Sequence, residues 1–396
     1  MERIVLCEPQ CRGFEHASPN AAMLATVLLA YPQARASFGC EPEHGARVRD
    51  ELARRYPDLL QRVDWFEVPL PTARPSRWSR LAEERLLWER VLDHCRDEEP
   101  GLVFLCSITS PGLMVVKSSL RRGALDVPVV AVVHSILSTL GRWRPAGPVK
   151  WLLGLRNALR LPHPESLRLI ALGEPILHRL REVAPRAARH FAALDLPALW
   201  ALGAPAPRAA GAPVVFGHLG VAAKRKGFAA FCDLARDCQA DVTAGRVRFE
   251  MVGFTFDVKT RALAAAAPIE GVTDQPLSAD EYRRRTAAID YALWTGDSRR
   301  YALTASATFQ DALSYIKPVV GLRSPFVAHY AERMGDVGYL CDDFAEMVST
   351  VQSLIAEFPT GRYEQQCASI LRGRDIFAPE TLAPRLREIV VSVALK

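Results

Sequence analysis

Short apolar and β-branched runs recur along the first half of the chain, separated by stretches in which apolar residues return every three or four positions. The runs are Arg3–Cys7, Ala34–Phe38, Trp65–Val68, Leu102–Leu105, Val127–Val133 and Leu167–Ala171. Helical patterns cover Asn20–Ala30 and Glu174–Val183, and Trp78–Cys95 is amphipathic. Strands alternating with helices in this way predict parallel βαβ units. The pattern stops at LGAPAPRAAGAP, residues 202–213, whose Pro, Gly and Ala content is that of a linker. Alternation then resumes with Val214–Gly217, Val247–Val252, Tyr291–Leu293 and Pro318–Gly321, with helices expected over 227–240, 279–288 and 306–315. The reading is an α/β chain of two consecutive Rossmann-like domains, 1–205 and 206–380. A C-terminal helix over 381–396 is expected to pack back on the first domain.

The length of 396 residues suits two domains of about 200 residues each. A net charge of +6 spread along the chain argues against the concentrated basic footprint of a nucleic-acid binder, yet accommodates phosphate-bearing ligands or an anionic membrane surface. Nine cysteines without a CxxC pair fit neither a disulfide framework nor the usual zinc spacing, and read as reduced thiols in a cytosolic protein. The start, MERIVLCEPQ, does not read as a leader. The most apolar stretch, 127–140, carries His134 and hydroxyl residues and falls short of the roughly 20 apolar residues a spanning helix needs. A cytoplasmic location is expected.

Three segments of the second half carry chemistry. VVFGHLGVAAKRKGF, 214–228, runs from a strand through a glycine turn at Gly217–Gly220 into Lys224, Arg225, Lys226 and Gly227 ahead of a helix. Backbone N–H groups and a helix N-terminus can meet an anion there, with Lys226 as a point charge and Arg225 as a fork. The segment is neither GxxxxGK[ST] nor GxGxxG, which disfavours ordinary dinucleotide binding. Read alone, it serves equally as a solvated basic loop. RFEMVGF, 248–254, ends a strand at Gly253 and Phe254, where ligands gather in open α/β sheets and where a plain turn glycine is the alternative. In YALTASATFQDALSYIKPVVG, 301–321, Ser306, Ala307 and Thr308 open a helix, with Ser306 as N-cap. Asp311 can accept from a ribose diol, or serve as a helix-dipole carboxylate.

Taken together, these segments resemble the C-terminal domain of bacterial-type group-1 GT-B glycosyltransferases, similar to the retaining family 4. The resemblance rests on Gly217, Lys226-Gly227, Val252-Gly253, Asp311-Ala312 and Lys317-Pro318-Val319-Val320, in the family's order and spacing, and on GDVGYLCDDFAEM, 335–347. It covers about 170 residues. It implies two Rossmann-like domains facing across a cleft, a UDP- or GDP-sugar donor, and no cofactor or metal. An acceptor that is a sugar or a lipid-linked molecule also follows. Lys226 and Arg225 would meet the leaving diphosphate, and His218, Gly220, Gly253, Phe254, Ser306, Ala307, Thr308 and Asp311 would line the donor. The chain departs at His218, where the family commonly has Arg, and at Leu303, where the first of two spaced acids would stand.

In the first half, CRGFEHASPNAAML, 11–24, is similar to the family's glycine-containing first loop. There Gly13 would let the loop approach the donor, and Glu15 or His16 would face the acceptor. His134 follows a buried strand, where related enzymes place a histidine against the donor sugar; a hydrogen-bonded strand-end histidine is the alternative. Residues 141–162, GRWRPAGPVKWLLGLRNALRLP, mix Arg and Lys with Trp143, Trp151 and leucines. They read either as an interfacial membrane segment or as a helix whose apolar face packs inward. Two further functions share this pattern: a sugar-nucleotide epimerase, and a non-catalytic sugar-nucleotide-binding scaffold.

Overall fold

The computed structural model describes residues 1–70, 77–141, 147–200, 208–209, 211–296 and 301–394, with the side chains of 77–78, 149–150, 225 and 394 left aside. The chain divides into two compact units. One comprises Met1–Leu199, Leu303–Ala305 and Ile376–Lys396, and the other Trp200–Ala302 and Ser306–Asp375.

The first unit is built on a seven-stranded sheet. Its strands are β1 (Arg3–Cys7), β2 (Arg35–Cys40), β3 (Val63–Glu67), β4 (Val103–Leu105), β5 (Val129–Val132), β6 (Leu167–Ala171) and β7 (Phe191–Ala193), in the spatial order β3-β2-β1-β4-β5-β6-β7. All six pairings are parallel, and β4 and β5 are buried along their whole length, as sheets covered on both faces are. The helix Pro379–Ala394 returns to this unit: Arg387 Nε donates to Ala30 O at 2.9 Å and Tyr56 OH to Glu380 at 2.8 Å.

The second unit carries six strands: β8 (Val214–Val221), β9 (Val247–Phe254), β10 (Ile269–Glu270), β11 (Tyr291–Trp294), β12 (Val319–Leu322) and β13 (Gly338–Cys341). Their order is β10-β9-β8-β11-β12-β13, again all parallel. In both sheets the order reverses beside the first strand of the unit, β1 against β4 and β8 against β11. Such a switch point opens a crevice beyond the carboxyl ends of the strands.

Local signals set the helices that matter for the site. Ser278 accepts from Glu281 N at 3.2 Å and starts Ala279–Ala288, Ser306 accepts from Phe309 N at 3.2 Å and starts Ala307–Ser314, and Asp343 accepts from Glu346 N at 2.9 Å and starts Phe344–Ala356. Each cap satisfies a backbone donor that the helix cannot. The helix expected over 227–240 is broken at Cys238 into Phe228–Asp237 and Gln239–Thr243. β7, β10 and β13 were not anticipated as strands.

Candidate functional site

At the switch point of the second unit, Gly220 is the last residue but one of β8, and its φ of +79° suits glycine. A β-carbon placed there would stand 3.9 Å from Lys226 Nζ and 4.0 Å from Thr308 Oγ1. The ammonium and the hydroxyl thus flank one patch of bare backbone. Neighbouring β9 comes much closer: a β-carbon on Gly253 would lie 1.9 Å from the Gly220 carbonyl oxygen. Gly227, at φ +79°, closes the Lys224–Lys226 turn against the end of β11 and accepts from Thr295 Oγ1 at 2.9 Å.

The Ala307–Ser314 helix points its N-terminus at the same end of the sheet. Its cap Ser306 is itself held by Trp294 Nε1 at 3.0 Å, so the cap is anchored to β11. Ala307 and Thr308 occupy the first turn, half-buried. One turn on, Asp311 shares the face of Thr308 and accepts from Tyr282 OH at 3.1 Å. Burial lifts the Asp311 carboxyl to about 6, against the pull of the Tyr282 hydrogen bond and the Lys226 charge.

His218 is buried on β8, edge-on to Phe228 with ring centroids 5.0 Å apart. Burial, helped by the Lys226 charge, holds its imidazole down at about 3, so it is neutral at physiological pH and adds no positive charge. Neither ring nitrogen has a side-chain hydrogen-bond partner among the described residues. The Arg225 side chain lies outside the described residues. Phe254 is buried, with the exposed Phe256 against it edge-on at 4.7 Å. Leu303 is buried, and no carboxylate stands in its place.

In the first unit, a buried polar chain fixes the loop after β1. Glu8 accepts from Gln10 N at 2.9 Å, from Asn20 Nδ2 at 3.1 Å and from Ser107 Oγ. Asn20 Nδ2 also meets His44 Nε2 at 2.9 Å, and His44 Nδ1 meets Gly13 O at 3.0 Å. The Asn20 amide nitrogen can only donate and the Gly13 carbonyl can only accept, so His44 Nε2 accepts and its proton sits on Nδ1, donated to Gly13. Gly13 N in turn donates to Glu41 at 3.1 Å. Both backbone polar groups of Gly13 are therefore engaged within the unit, and its φ of +47° shapes the loop. Glu15 and His16 are exposed beyond it, His16 at the unusual φ of +51° with its ring edge-on to His134 at 5.7 Å. Glu8, Asn20 and His44 lie far apart in sequence, and no local motif marks their network.

All nine cysteines are unpaired and buried. Among the described residues no group of three or more His, Cys, Asp or Glu could hold a metal ion, and no helix is long and apolar enough to cross a membrane. In the amphipathic segment, Trp143 lies outside the described residues, while Trp151 and Leu152 are exposed.

No family model and no curated protein matches the chain. Solved structures do. HepE from Anabaena, in complex with UDP and glucose, superposes over 99% of this chain and 100% of its own, with a TM-score of 0.67 at 13% identity. The catalytic domain of starch synthase IV from Arabidopsis thaliana, bound to ADP and acarbose, does so over 100% and 99%, with 0.68 at 8%. An α,α-trehalose-phosphate synthase (UDP-forming) from Burkholderia vietnamiensis covers 100% and 98%, with 0.66 at 11%.

The chain has the GT-B fold. A GT-B chain carries one Rossmann-like sheet per unit, and both sheets here have the first-strand reversal that marks such a sheet. Within this GT-B fold, Gly220, Lys226, Gly253, Ser306, Ala307, Thr308 and Asp311 gather at one end of the second sheet, together with the buried His218. Gly13, Glu15, His16 and His134 lie at the ends of β1 and β5 in the first.

Proposed function

We propose that this protein is a glycosyltransferase that takes a hexosyl group from a UDP- or GDP-sugar and passes it, with retention, to a glycan, lipid-linked or small-molecule acceptor in polysaccharide or glycoconjugate synthesis. The observation that carries the reading is the patch at Gly220. Bare backbone there is flanked by the Lys226 ammonium and the Thr308 hydroxyl, at a strand switch point and beside a helix N-terminus. A diphosphate suits such a place, since it needs positive charge and N–H or O–H donors at close range. That HepE was solved with UDP and starch synthase IV with ADP supports a nucleotide donor.

As the anomeric C–O bond breaks, negative charge grows on the departing diphosphate. Lys226, with Arg225 beside it in sequence, is proposed to meet that charge in place of a metal. Preorganised donors of this kind contribute about 3 kcal/mol each when water is excluded. Neutral His218 is left the role of hydrogen-bonding the phosphate rather than balancing its charge. Gly253 and Phe254 would border the donor, and Asp311 would accept from its ribose. His134 is proposed to contact the transferred sugar, and Glu15 and His16 to serve the acceptor. No cofactor beyond the sugar nucleotide is invoked.

The buried Leu303, where the family pattern has an acid, favours one second reading, a sugar-nucleotide-binding scaffold without turnover. Consumption of UDP-glucose or GDP-mannose that depends on added acceptor separates the two. Acceptor-dependent release of nucleoside diphosphate, lost in Lys226→Ala, is expected; tight binding with no release under any acceptor favours the scaffold. We place the protein in the cytoplasm on its nine unpaired cysteines, with peripheral contact at the inner membrane face through Trp151 and Leu152. Pelleting with anionic liposomes that Trp151→Ala leaves unchanged removes that contact.

A further inference from the structure

The Ala279–Ala288 helix is fastened to β9 by Arg285, whose Nε donates to Glu250 at 2.7 Å and whose guanidinium also donates to Met251 O at 2.7 Å. Tyr282, one turn earlier, is further fixed by the edge of Tyr315, with ring centroids 6.2 Å apart. From this rigid support its hydroxyl reaches Asp311 Oδ2 at 3.1 Å, across 29 residues of sequence. Burial and the neighbouring carboxylate drive the Tyr282 hydroxyl far above its ordinary range, so it remains protonated and donates. The groups whose charge or proton bears on Asp311 are Tyr282 from the Ala279–Ala288 helix and Lys226 from the 224–226 turn, and Tyr315, just past the end of Asp311's helix, bears on Tyr282.

A carboxylate has acceptor sites on both oxygens. With Oδ2 occupied by a fixed phenol, the Asp311 side chain is locked in one rotamer before any ligand arrives, and binding need not supply that ordering. We infer that Tyr282 is the positioning residue for Asp311, holding one oxygen so that the other accepts a ribose 2′-hydroxyl of the bound nucleotide. The inference rests on the nucleotide reading above and extends it to a second layer.

Calorimetric titration of the full chain with UDP and 2′-deoxy-UDP, and with GDP and its 2′-deoxy form, tests it between pH 8 and pH 5. Wild type is expected to prefer the ribonucleotide. Tyr282→Phe should lose about tenfold in ribonucleotide affinity, the scale of one hydrogen bond to a charged group, and little for the deoxy form. The acid loss of ribonucleotide binding, expected near pH 6 in wild type, should begin at higher pH in Tyr282→Phe, because the hydrogen bond that favours the ionised carboxylate is gone. In an Asp311→Ala background, which has no side-chain oxygen for Tyr282 to hold, the Tyr282→Phe change should cost nothing further. Thermal unfolding without ligand reports whether each variant is folded. Equal losses for both nucleotides, or an unmoved acid limb, would overturn the positioning role while leaving the nucleotide site standing. A wild-type protein that binds none of the four overturns the nucleotide reading itself, and this inference with it.

Discussion

The carbonyl oxygen of Thr295 lies 1.7 Å from where a β-carbon on Gly227 would stand. The Lys224–Lys226 turn is thus pressed onto the end of β11 with room only for a hydrogen, and Gly227 also has φ +79°. Gly227→Ala must push the turn away and adopt a strained backbone. A loss of about 2–4 kcal/mol is expected, read as a lower urea midpoint, together with loss of nucleotide binding as Lys226 moves. An unchanged midpoint would contradict this packing.

Asp311 ties the stability of the fold to pH. Its carboxyl stands at about 6 instead of 3.8, chiefly through burial. The folded protein therefore binds this proton more tightly than the unfolded chain. Ionising the group costs stability as pH rises from about 4 to about 6, and the cost persists above. Asp311→Asn, which cannot ionise, should make the ligand-free protein more stable than wild type by roughly 1–2 kcal/mol at pH 8, with little difference below pH 4. Chemical denaturation at the two pH values checks this. A variant less stable than wild type at pH 8 would mean that the carboxylate is favoured where it lies.

The parts of the fold legible in the sequence are those written locally. Arg3–Cys7 and Leu167–Ala171 are β1 and β6 with the bounds their apolar runs suggest, and the helix over 279–288 begins where Ser278 caps it. β10 has two residues and β7 three, too few for alternation to register. The cradle was legible because its glycines and Lys226 fall in a short motif. Other contacts around the candidate residues join positions distant in sequence. Glu8 meets Ser107 across 99 residues, and Tyr282 meets Asp311 across 29, and nothing in either neighbourhood announces the partner. The charge of His218 was beyond the sequence too. The residue sits where the glycosyltransferases that the sequence resembles commonly have an arginine, but burial against Phe228 and Phe231 leaves it neutral.

Glu8 should prove to be the anchor of the first-unit loop. Its carboxylate is buried and accepts from Gln10, Asn20 and Ser107, so Glu8→Ala strands several donors and is expected to cost about 2–4 kcal/mol. His44→Ala removes the links to Gly13 O and to Asn20 Nδ2 but leaves the Glu8 carboxylate with its donors. It should leave the global unfolding midpoint less affected, yet speed tryptic cleavage after the exposed Arg12. Cleavage at the wild-type rate would show that the loop is held by other contacts.

The cysteines give an independent check on the packing. All nine are buried, and burial raises the Cys7, Cys40 and Cys106 thiols, Cys40 to about 12, which suppresses the reactive thiolate. A thiol reagent such as DTNB at pH 7.5 should label the native protein only on the timescale of unfolding, and label all nine in denaturant. Fast labelling of any cysteine in the native protein would place that residue at the surface.

On the function proposed above, Lys226 and its glycine turn hold the diphosphate of a sugar nucleotide. Thermal unfolding of wild type and Lys226→Ala with UDP, GDP, ADP and dTDP in turn tests it most directly. At about 100 times its dissociation constant, a ligand specific to the folded state stabilises by roughly 2.7 kcal/mol. One nucleotide should raise the wild-type midpoint clearly and leave Lys226→Ala where it was. A wild type indifferent to all four, or a Lys226→Ala variant that keeps the full shift, would contradict the account.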